Sequence, residues 1–170
     1  IVAFADPLCR FYREWGELLQ LGSPRLVRYC NAGALALPRL RAEEFFPLVR
    51  DAQSRIDVSR SMLNGGSSDY PFFFPDQDVW NAVFATRTAP HELLVLEQRL
   101  APHPPFAGLR PGRGDGLACR YDDDTTPYLL HHVGPKPWLA ATQANLYSRL
   151  LPRYLLAPDL PLRLPESALP

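Results

Sequence analysis

The sequence contains little lysine and little cysteine. Lys136 is the one lysine among eighteen basic residues, and the others are all arginine. The three cysteines, Cys9, Cys30 and Cys119, lie far apart and form no C-x-x-C pair. This spacing predicts free thiols in a reducing compartment and argues against a disulfide framework or a zinc site.

A net charge and a long apolar run are also missing. The formal net charge is zero, so no basic excess predicts binding to nucleic acid. No apolar run reaches the ~18 residues that a membrane-spanning helix needs. The chain has 46% hydrophobic and 21% charged residues, which is typical of a soluble globular domain. It begins Ile-Val-Ala-Phe, without Met or a charged leader, so we expect a piece of a longer chain, with any targeting signal upstream.

Apolar periodicity predicts a mixture of strands and helices. Apolar runs indicate strands at 1–5, 27–37, 92–100 and 128–133. Stripes of helical spacing indicate helices at 8–19, 42–56, 76–84 and 145–156. Gly22 is the expected end of the first helix. Residues 107–116 are expected to form a loop, and 157–170 a Pro-rich tail.

Two polar segments have both a functional and a structural interpretation. Residues 57–75 combine a glycine pair with an aromatic cluster, which fits a mobile lid over an acceptor and fits equally a surface loop with one apolar plug. Asp122-Asp123-Asp124 suggests a metal site, but three adjacent acids before Thr-Thr-Pro are more typical of a solvated turn.

The strand predicted at 27–37 has Asn31 and Gly33 in its middle. A glycine inside a strand is typical of a bulge or of a close backbone approach. A buried asparagine needs hydrogen-bond partners. Taken alone, these residues predict a strand bulge with a self-satisfied asparagine.

The helix predicted to begin at Asp76 presents two amides on one face. Asp76 is the expected N-cap. Gln77 and Asn81 are four residues apart, which places their side chains next to each other. The structural interpretation of Asp76 is capping alone.

Residues 128–138 combine a predicted strand, a turn and several reactive side chains. Strand alternation sends His131 and His132 to opposite faces, so at most one of them faces a given site. Lys136 lies between two prolines that stiffen its backbone, and its compact ammonium suits a phosphate. A buried strand histidine and a surface lysine are the structural alternatives. The closeness of these residues to the turn at Gly134 favours a functional segment.

Three motifs resemble, in chain order, those of the family 8 glycosyltransferases, which are retaining, metal-dependent sugar transferases. They are Tyr-x-Asn-Ala-Gly at 29–33, Asp-Gln-Asp-x-x-Asn-x-x-Phe at 76–84, and His-x-x-Gly-x-Lys-Pro-Trp at 131–138. The last has one residue fewer between Gly134 and Lys136 than many members. The resemblance implies an α/β fold, namely the C-terminal part of a glycosyltransferase-A domain with a mixed sheet flanked by helices. Residues 1–156 would form this partial domain, without its nucleotide-binding first half.

The resemblance also implies roles for residues of the first two motifs. In the family, the residues aligned with Asn31 and Ala32 contact the donor nucleotide-sugar. The aspartate aligned with Asp76 contacts sugar hydroxyls of donor or acceptor. The glutamine aligned with Gln77 lies beside the anomeric carbon, so Asp76 and Gln77 are the expected catalytic pair.

The third motif implies contacts with the diphosphate and the metal. Gly134 and Lys136 would bind the donor, with Lys136 placing a charge on the diphosphate. His131 would be one ligand of Mn²⁺ or Mg²⁺, and Mn²⁺ suits mixed carboxylate and imidazole ligands better. The family's Asp-x-Asp metal motif lies upstream of the Asn-Ala-Gly strand, and this sequence has no such motif there.

The resemblance therefore implies retaining transfer of a hexose, from UDP-glucose or UDP-galactose, to a hydroxyl on a carbohydrate, lipid-linked or protein acceptor. A non-catalytic sugar- or nucleotide-binding module on the same scaffold is the alternative, because the metal carboxylates are missing. A metal hydrolase is a distant third, since it needs more histidine and carboxylate ligands. The expected location is cytoplasmic or peripheral at the membrane, with no transmembrane segment and no nucleic-acid partner.

Overall fold

The chain divides into two compact units, Ile1–Ala101 and Pro102–Pro170. The computed structural model describes residues 1–103, 106–112 and 118–131. The predicted boundary between 156 and 157 and the predicted helix at 145–156 lie outside these residues. Within the described ranges, no helix has both the length and the apolar character to cross a membrane.

The first unit is a small mixed α/β domain built on a three-stranded sheet. Its strands are β1 (Val2–Ala5), β2 (Cys30–Ala36) and β3 (Leu94–Leu96), in the order β2-β1-β3. β1 pairs antiparallel with β2 and parallel with β3, so the sheet is mixed. The strand predicted at 92–100 is shorter than expected, because 3-10 turns at Pro90–Glu92 and Gln98–Leu100 flank β3.

A bulge interrupts β2 where Asn31 and Gly33 predicted it. Ala3 pairs with Leu35, but the next residue, Phe4, pairs with Asn31. The residues between Asn31 and Leu35 therefore leave the ladder, and the prediction of a bulge is confirmed. Such a bulge changes the direction of the strand and re-aims its backbone groups.

Two helices supply most of the core of this unit. α2 (Arg39–Gln53) and α3 (Pro75–Arg87) correspond to the predicted helices at 42–56 and 76–84. Their buried apolar side chains form one cluster, which includes Phe45, Val49, Ala52, Val79, Ala82, Val83 and Phe84. Burial of a large apolar side chain contributes about 1.5–3 kcal/mol, so this cluster is the main stabilising feature of the unit.

The helix predicted at 8–19 is much shorter in the structure, where α1 spans only Trp15–Leu18. The prediction of a long helix was wrong because Cys9 has a positive φ of 46° and Arg10 turns inward to bind Asp78. Trp15 still packs into the core, and its indole N–H donates to the Pro71 carbonyl at 2.8 Å.

The prediction that Gly22 ends the first helix was wrong, because α1 stops four residues earlier with Leu19 as its C-cap and Gln20 takes the positive φ of 58° that follows it. Gly22 has a φ of +90°, which a side chain would strain. A Cβ on Gly16 would lie 1.7 Å from the Gly22 carbonyl oxygen. Glycine is therefore required at both positions for the two backbone segments to meet.

The segment between α2 and α3 is anchored along its length. Two 3-10 turns, Val58–Arg60 and Met62–Asn64, begin it. The Met62 N–H donates to the Phe73 carbonyl, which closes the segment on itself. The Asp57 N–H donates to the Tyr70 hydroxyl, and Tyr70 is buried. The aromatic cluster thus acts as the apolar plug of a surface loop, which was one of the two interpretations of this segment.

The described part of the second unit contains one hairpin. β4 (Leu109–Pro111) pairs antiparallel with β5 (Cys119–Tyr121), so the prediction of a loop throughout 107–116 was wrong for 109–111. A small cluster of Phe106, Leu109 and Cys119 packs beneath the hairpin.

The acidic triplet follows β5 as an exposed turn. Arg110 pairs with Asp122 at 3.0 Å, and Arg120 pairs with Asp124 at 3.8 Å. The Asp123 carboxylate accepts the Thr125 N–H at 3.0 Å. These contacts support the solvated turn rather than a metal site.

Candidate functional site

Two amides on α3 bind the backbone of β2. The Asn81 side chain accepts the Cys30 N–H at 2.8 Å and donates to the Cys30 carbonyl at 2.8 Å. One helical turn earlier, the Gln77 oxygen accepts the Ala32 N–H at 3.1 Å. The amide pair predicted from the spacing of Gln77 and Asn81 is confirmed. Its side chains form hydrogen bonds with backbone groups of β2, as the backbone of a neighbouring strand would.

The bulge of β2 lies beside this amide pair. Asn31 donates through its amide to the Asp6 carboxylate at 3.0 Å and accepts the Gly33 N–H at 2.8 Å. Asp6 is buried, and its second oxygen accepts the Leu8 N–H at 2.9 Å. The structure therefore brings Asn31 and Ala32 together with Gln77, and it adds Asp6, which the sequence did not single out.

Asp76 is exposed in the first turn of α3, but it is not the N-cap. The N-cap is Phe74, and Pro75 occupies the first helical position. The prediction that Asp76 caps the helix was wrong. Proline is pre-organised for the first helical position, so the helix begins at Pro75 and the residue before it, Phe74, is the N-cap. The exposed Asp76 carboxylate lies one residue before Gln77, at the helix end where the helix dipole favours negative charge.

Asp78 is fully buried and accepts donors from three different parts of the chain. The Tyr29 hydroxyl donates at 2.6 Å, the Arg10 Nε at 3.1 Å and the Phe74 N–H at 2.8 Å. Sequence reasoning missed Asp78, Tyr29 and Arg10. The available signal was the spacing of Asp78 and Asn81, which puts a second polar residue on the buried face of α3.

Burial governs the protonation of this network. It raises the pKa of Asp78 above that of an ordinary carboxyl group, and the Tyr29 hydroxyl, the Phe74 N–H and Arg10 oppose the rise. Burial and the Asp78 charge raise the pKa of Tyr29 well above its usual range, while Gln77 and Arg10 lower it. Tyr29 therefore remains a hydrogen-bond donor at neutral pH.

Cys30 lies between Tyr29 and Asn31 but is unsuited to nucleophilic chemistry. It is buried, and its Sγ contacts the Arg28 carbonyl at 3.2 Å. Burial raises the pKa of the Cys30 thiol to about 12, so the thiolate is scarce at neutral pH. The side chains that this region offers to a ligand are therefore amides and carboxylates rather than a thiolate.

The third motif lies in the second unit. His131 is half-buried, and its backbone N–H donates to the Pro102 carbonyl at 2.9 Å. The strand predicted at 128–133 was wrong for 128–131, which form no strand, so the alternation expected for His131 does not apply; 132 and 133 lie outside the described residues. Gly134 and Lys136 lie outside the described residues.

A metal site requires several ligands in one place. Within 1–103, 106–112 and 118–131, no group of three histidine, cysteine or acidic residues is placed so that it could hold a metal ion. His131 would supply a single imidazole. The part of the chain that the structure describes does not by itself fit a complete Mn²⁺ or Mg²⁺ site.

Comparisons of the chain with protein-family models, with curated proteins and with solved structures found no match.

Proposed function

We propose that the protein transfers a hexose with retention from a nucleotide-diphosphate sugar, UDP-glucose or UDP-galactose, to a hydroxyl acceptor. The observation that supports this proposal most directly is the meeting of Gln77 on α3 with the bulge of β2 at Asn31 and Ala32. These residues belong to two different motifs, and Ala32 and Gln77 are 45 residues apart in the sequence. We further propose that the mixed sheet of the first unit is the C-terminal part of a glycosyltransferase-A fold.

The polar groups around this contact suit a sugar. Sugar hydroxyls both donate and accept, so they pair with carboxylates and amides, and Asp76 offers an exposed carboxylate beside the half-buried Gln77. Asn31 is held by Asp6 and by the Gly33 N–H, which restricts its rotamer before any ligand binds. Such pre-organised groups reduce the entropic cost of orienting the sugar for attack by the acceptor.

Gln77 is held in place by the same geometry. Its oxygen accepts the Ala32 N–H, so the side chain has a defined orientation at the edge of the bulge. In the proposed reaction Gln77 lies beside the anomeric carbon and Asp76 binds a sugar hydroxyl. No nucleophile is assigned.

The diphosphate contacts are proposed for the third motif. Lys136 would place a positive charge on the leaving group, and Gly134 would allow a close backbone approach. Metal dependence stays a prediction for the full-length protein.

A non-catalytic sugar- or nucleotide-binding module remains the second candidate. The observation that favours it is the hydrogen bond between the Gln77 oxygen and the Ala32 N–H, because that contact gives Gln77 a structural role without any reaction. Both candidates predict binding of a sugar or a nucleotide, but only the first predicts turnover.

The test is a panel of nucleotide-sugars with Mn²⁺, assayed for donor hydrolysis and transfer by the full-length protein. With the preferred donor, Gln77→Ala should lower kcat far more than it raises the donor KM. Gln53→Ala, an exposed glutamine at the end of α2, is the control and should behave as wild type. Binding of a nucleotide-sugar without turnover would favour the binding module. A rise in KM alone for Gln77→Ala would show that Gln77 only binds.

A further inference from the structure

Asp78 joins three segments that border the Gln77–Ala32 contact. Tyr29 leads into β2 two residues before Asn31, Phe74 is the N-cap of α3, and Arg10 belongs to the segment after β1. All three donate to the Asp78 carboxylate, which has no exposed surface. Asp78 follows Gln77 directly on α3. The distance between Gln77 and the bulge therefore depends on the three hydrogen bonds that fix Asp78.

Arg10 uses every nitrogen of its guanidinium within the protein. Its Nε donates to Asp78 at 3.1 Å, its Nη1 to the Ser68 carbonyl at 3.1 Å and its Nη2 to the Tyr70 carbonyl at 2.9 Å. The side chain is only 12% exposed. A planar guanidinium can make three such bonds at once, whereas an ammonium group cannot match their geometry.

Aromatic rings enclose the guanidinium on its remaining sides. The distance from the guanidinium carbon to the ring centroid is 5.1 Å for Tyr12, 5.5 Å for Phe74 and 5.8 Å for Phe73. Cation–π contacts of this kind add to the attraction where water is excluded. Arg10 is thus fixed between the segment before α3 and the Asp78 carboxylate, with every guanidinium nitrogen already bonded within the protein.

We propose that Arg10 is a positioning residue, which holds the Gln77–Ala32 contact in place through Asp78 without touching the substrate. The part of this inference that concerns turnover rests on the proposed transferase function. The part that concerns the contact itself does not, because the Ala32 N–H reports on it in the protein without ligand.

The charge of Asp78 explains why Arg10 has this role. A buried carboxylate is stable only when it is paired and hydrogen-bonded. Loss of Arg10 leaves the carboxylate with the Tyr29 hydroxyl and the Phe74 N–H alone, so the start of α3 must shift to admit water or another donor. A shift of about 1 Å at a reacting group can reduce the rate by on the order of 100-fold.

Amide hydrogen exchange tests the contact directly. In Arg10→Gln, the Ala32 N–H should exchange roughly 10-fold faster or more, because its acceptor on Gln77 is released by local opening. The Val83 N–H, in the middle of α3, is the internal reference and should keep its wild-type rate. Equal acceleration at Ala32 and Val83 would mean that Arg10 stabilises the whole unit, and the proposal would be wrong.

Three further variants separate charge, geometry and folding. Arg10→Lys keeps the charge but loses the three-way bonding, so it should accelerate Ala32 exchange by an intermediate amount. Tyr29→Phe removes one donor from Asp78 with little change in packing and should act in the same direction if Arg10→Gln fails to fold. Arg55→Gln breaks an arginine–carboxylate pair with Asp51 on α2 and is the control, with no change expected at Ala32.

Turnover tests the consequence for the reaction. In the full-length protein, Arg10→Gln should lower kcat by roughly 10- to 100-fold with a donor KM within about threefold of wild type. A raised KM with unchanged kcat would make Arg10 a ligand contact and overturn the proposal. If wild type has no transferase activity, the proposed function fails, whereas the positioning role is still decided by the exchange at Ala32.

Discussion

Asn81 provides the most direct test of how α3 is attached to β2. It is 1% exposed, and its amide makes three bonds of 2.8 Å, with the Cys30 N–H, the Cys30 carbonyl and the Gln77 carbonyl. Asn81→Ala removes all three without disturbing the helix backbone, since alanine is a good helix former. The change therefore measures the side-chain contact itself.

The expected loss follows from the groups left behind. The buried Cys30 N–H loses its acceptor, which costs about 1–3 kcal/mol, and each further hydrogen bond contributes about 1 kcal/mol. We expect Asn81→Ala to lower the free energy of unfolding by roughly 3–5 kcal/mol, or about 6–20 °C in Tm for a chain of this size. Thermal and urea unfolding followed by circular dichroism would measure both quantities.

Asn64→Ala is the matched control. Asn64 makes one exposed bond, to the Val58 carbonyl at 3.0 Å, so its loss should stay within about 0.5 kcal/mol. Equal destabilisation of Asn64→Ala and Asn81→Ala would refute the reasoning. It would show that the buried bonds of Asn81 to Cys30 stabilise the chain no more than the exposed bond of Asn64.

Asn81→Asp adds a pH dependence with a definite sign. An ionised aspartate can accept the Cys30 N–H but has no proton for the Cys30 carbonyl, and its burial raises its pKa in the folded state. Its unfolded value is about 3.9, so the stability relative to wild type should fall as pH rises above about 4. A constant difference from wild type between pH 4 and pH 7 would contradict this assignment of the amide.

Three other predictions concern different parts of the chain. Lys136→Arg should lower turnover of the full-length protein by roughly 10-fold or more, equivalent to ~1.4 kcal/mol, with an unchanged Tm, and wild-type kinetics would mean that charge alone suffices. His131→Ala should raise the Mn²⁺ concentration needed for half-maximal turnover, while the exposed His91→Ala should not. Gly66→Ala should destabilise the chain by about 1–3 kcal/mol, because its Cβ would lie 1.7 Å from the Arg60 carbonyl oxygen, and an unchanged melting curve would disprove that crowding.

The features that the sequence predicted well are those set by near neighbours. The bulge at Asn31 and Gly33 follows from the preference of a glycine inside a strand, and the shared face of Gln77 and Asn81 follows from the pitch of a helix. α2 and α3 were predicted because their apolar residues recur at helical spacing. Each of these features depends on residues close together in the sequence, so the local order of residue types is enough to predict them.

The features that the sequence did not predict depend on distant partners. The predicted helix at 8–19 is reduced to Trp15–Leu18, because Arg10 leaves the helical path for a carboxylate 68 residues away. Tyr29 meets the same carboxylate from 49 residues away. No periodicity relates such residues, since their pairing depends on where the whole backbone places them.

The sequence by itself thus determined the helices α2 and α3, the bulge of β2 and the free cysteines, through local propensity, spacing and composition. Only the tertiary structure decided that Asp78, and not Asp76, is the buried acidic residue of α3 and that Arg10 and Tyr29 are its partners. The physical reason is that a buried carboxylate must find donors wherever the fold supplies them, and here they come from the loop after β1, the start of β2 and the N-cap of α3.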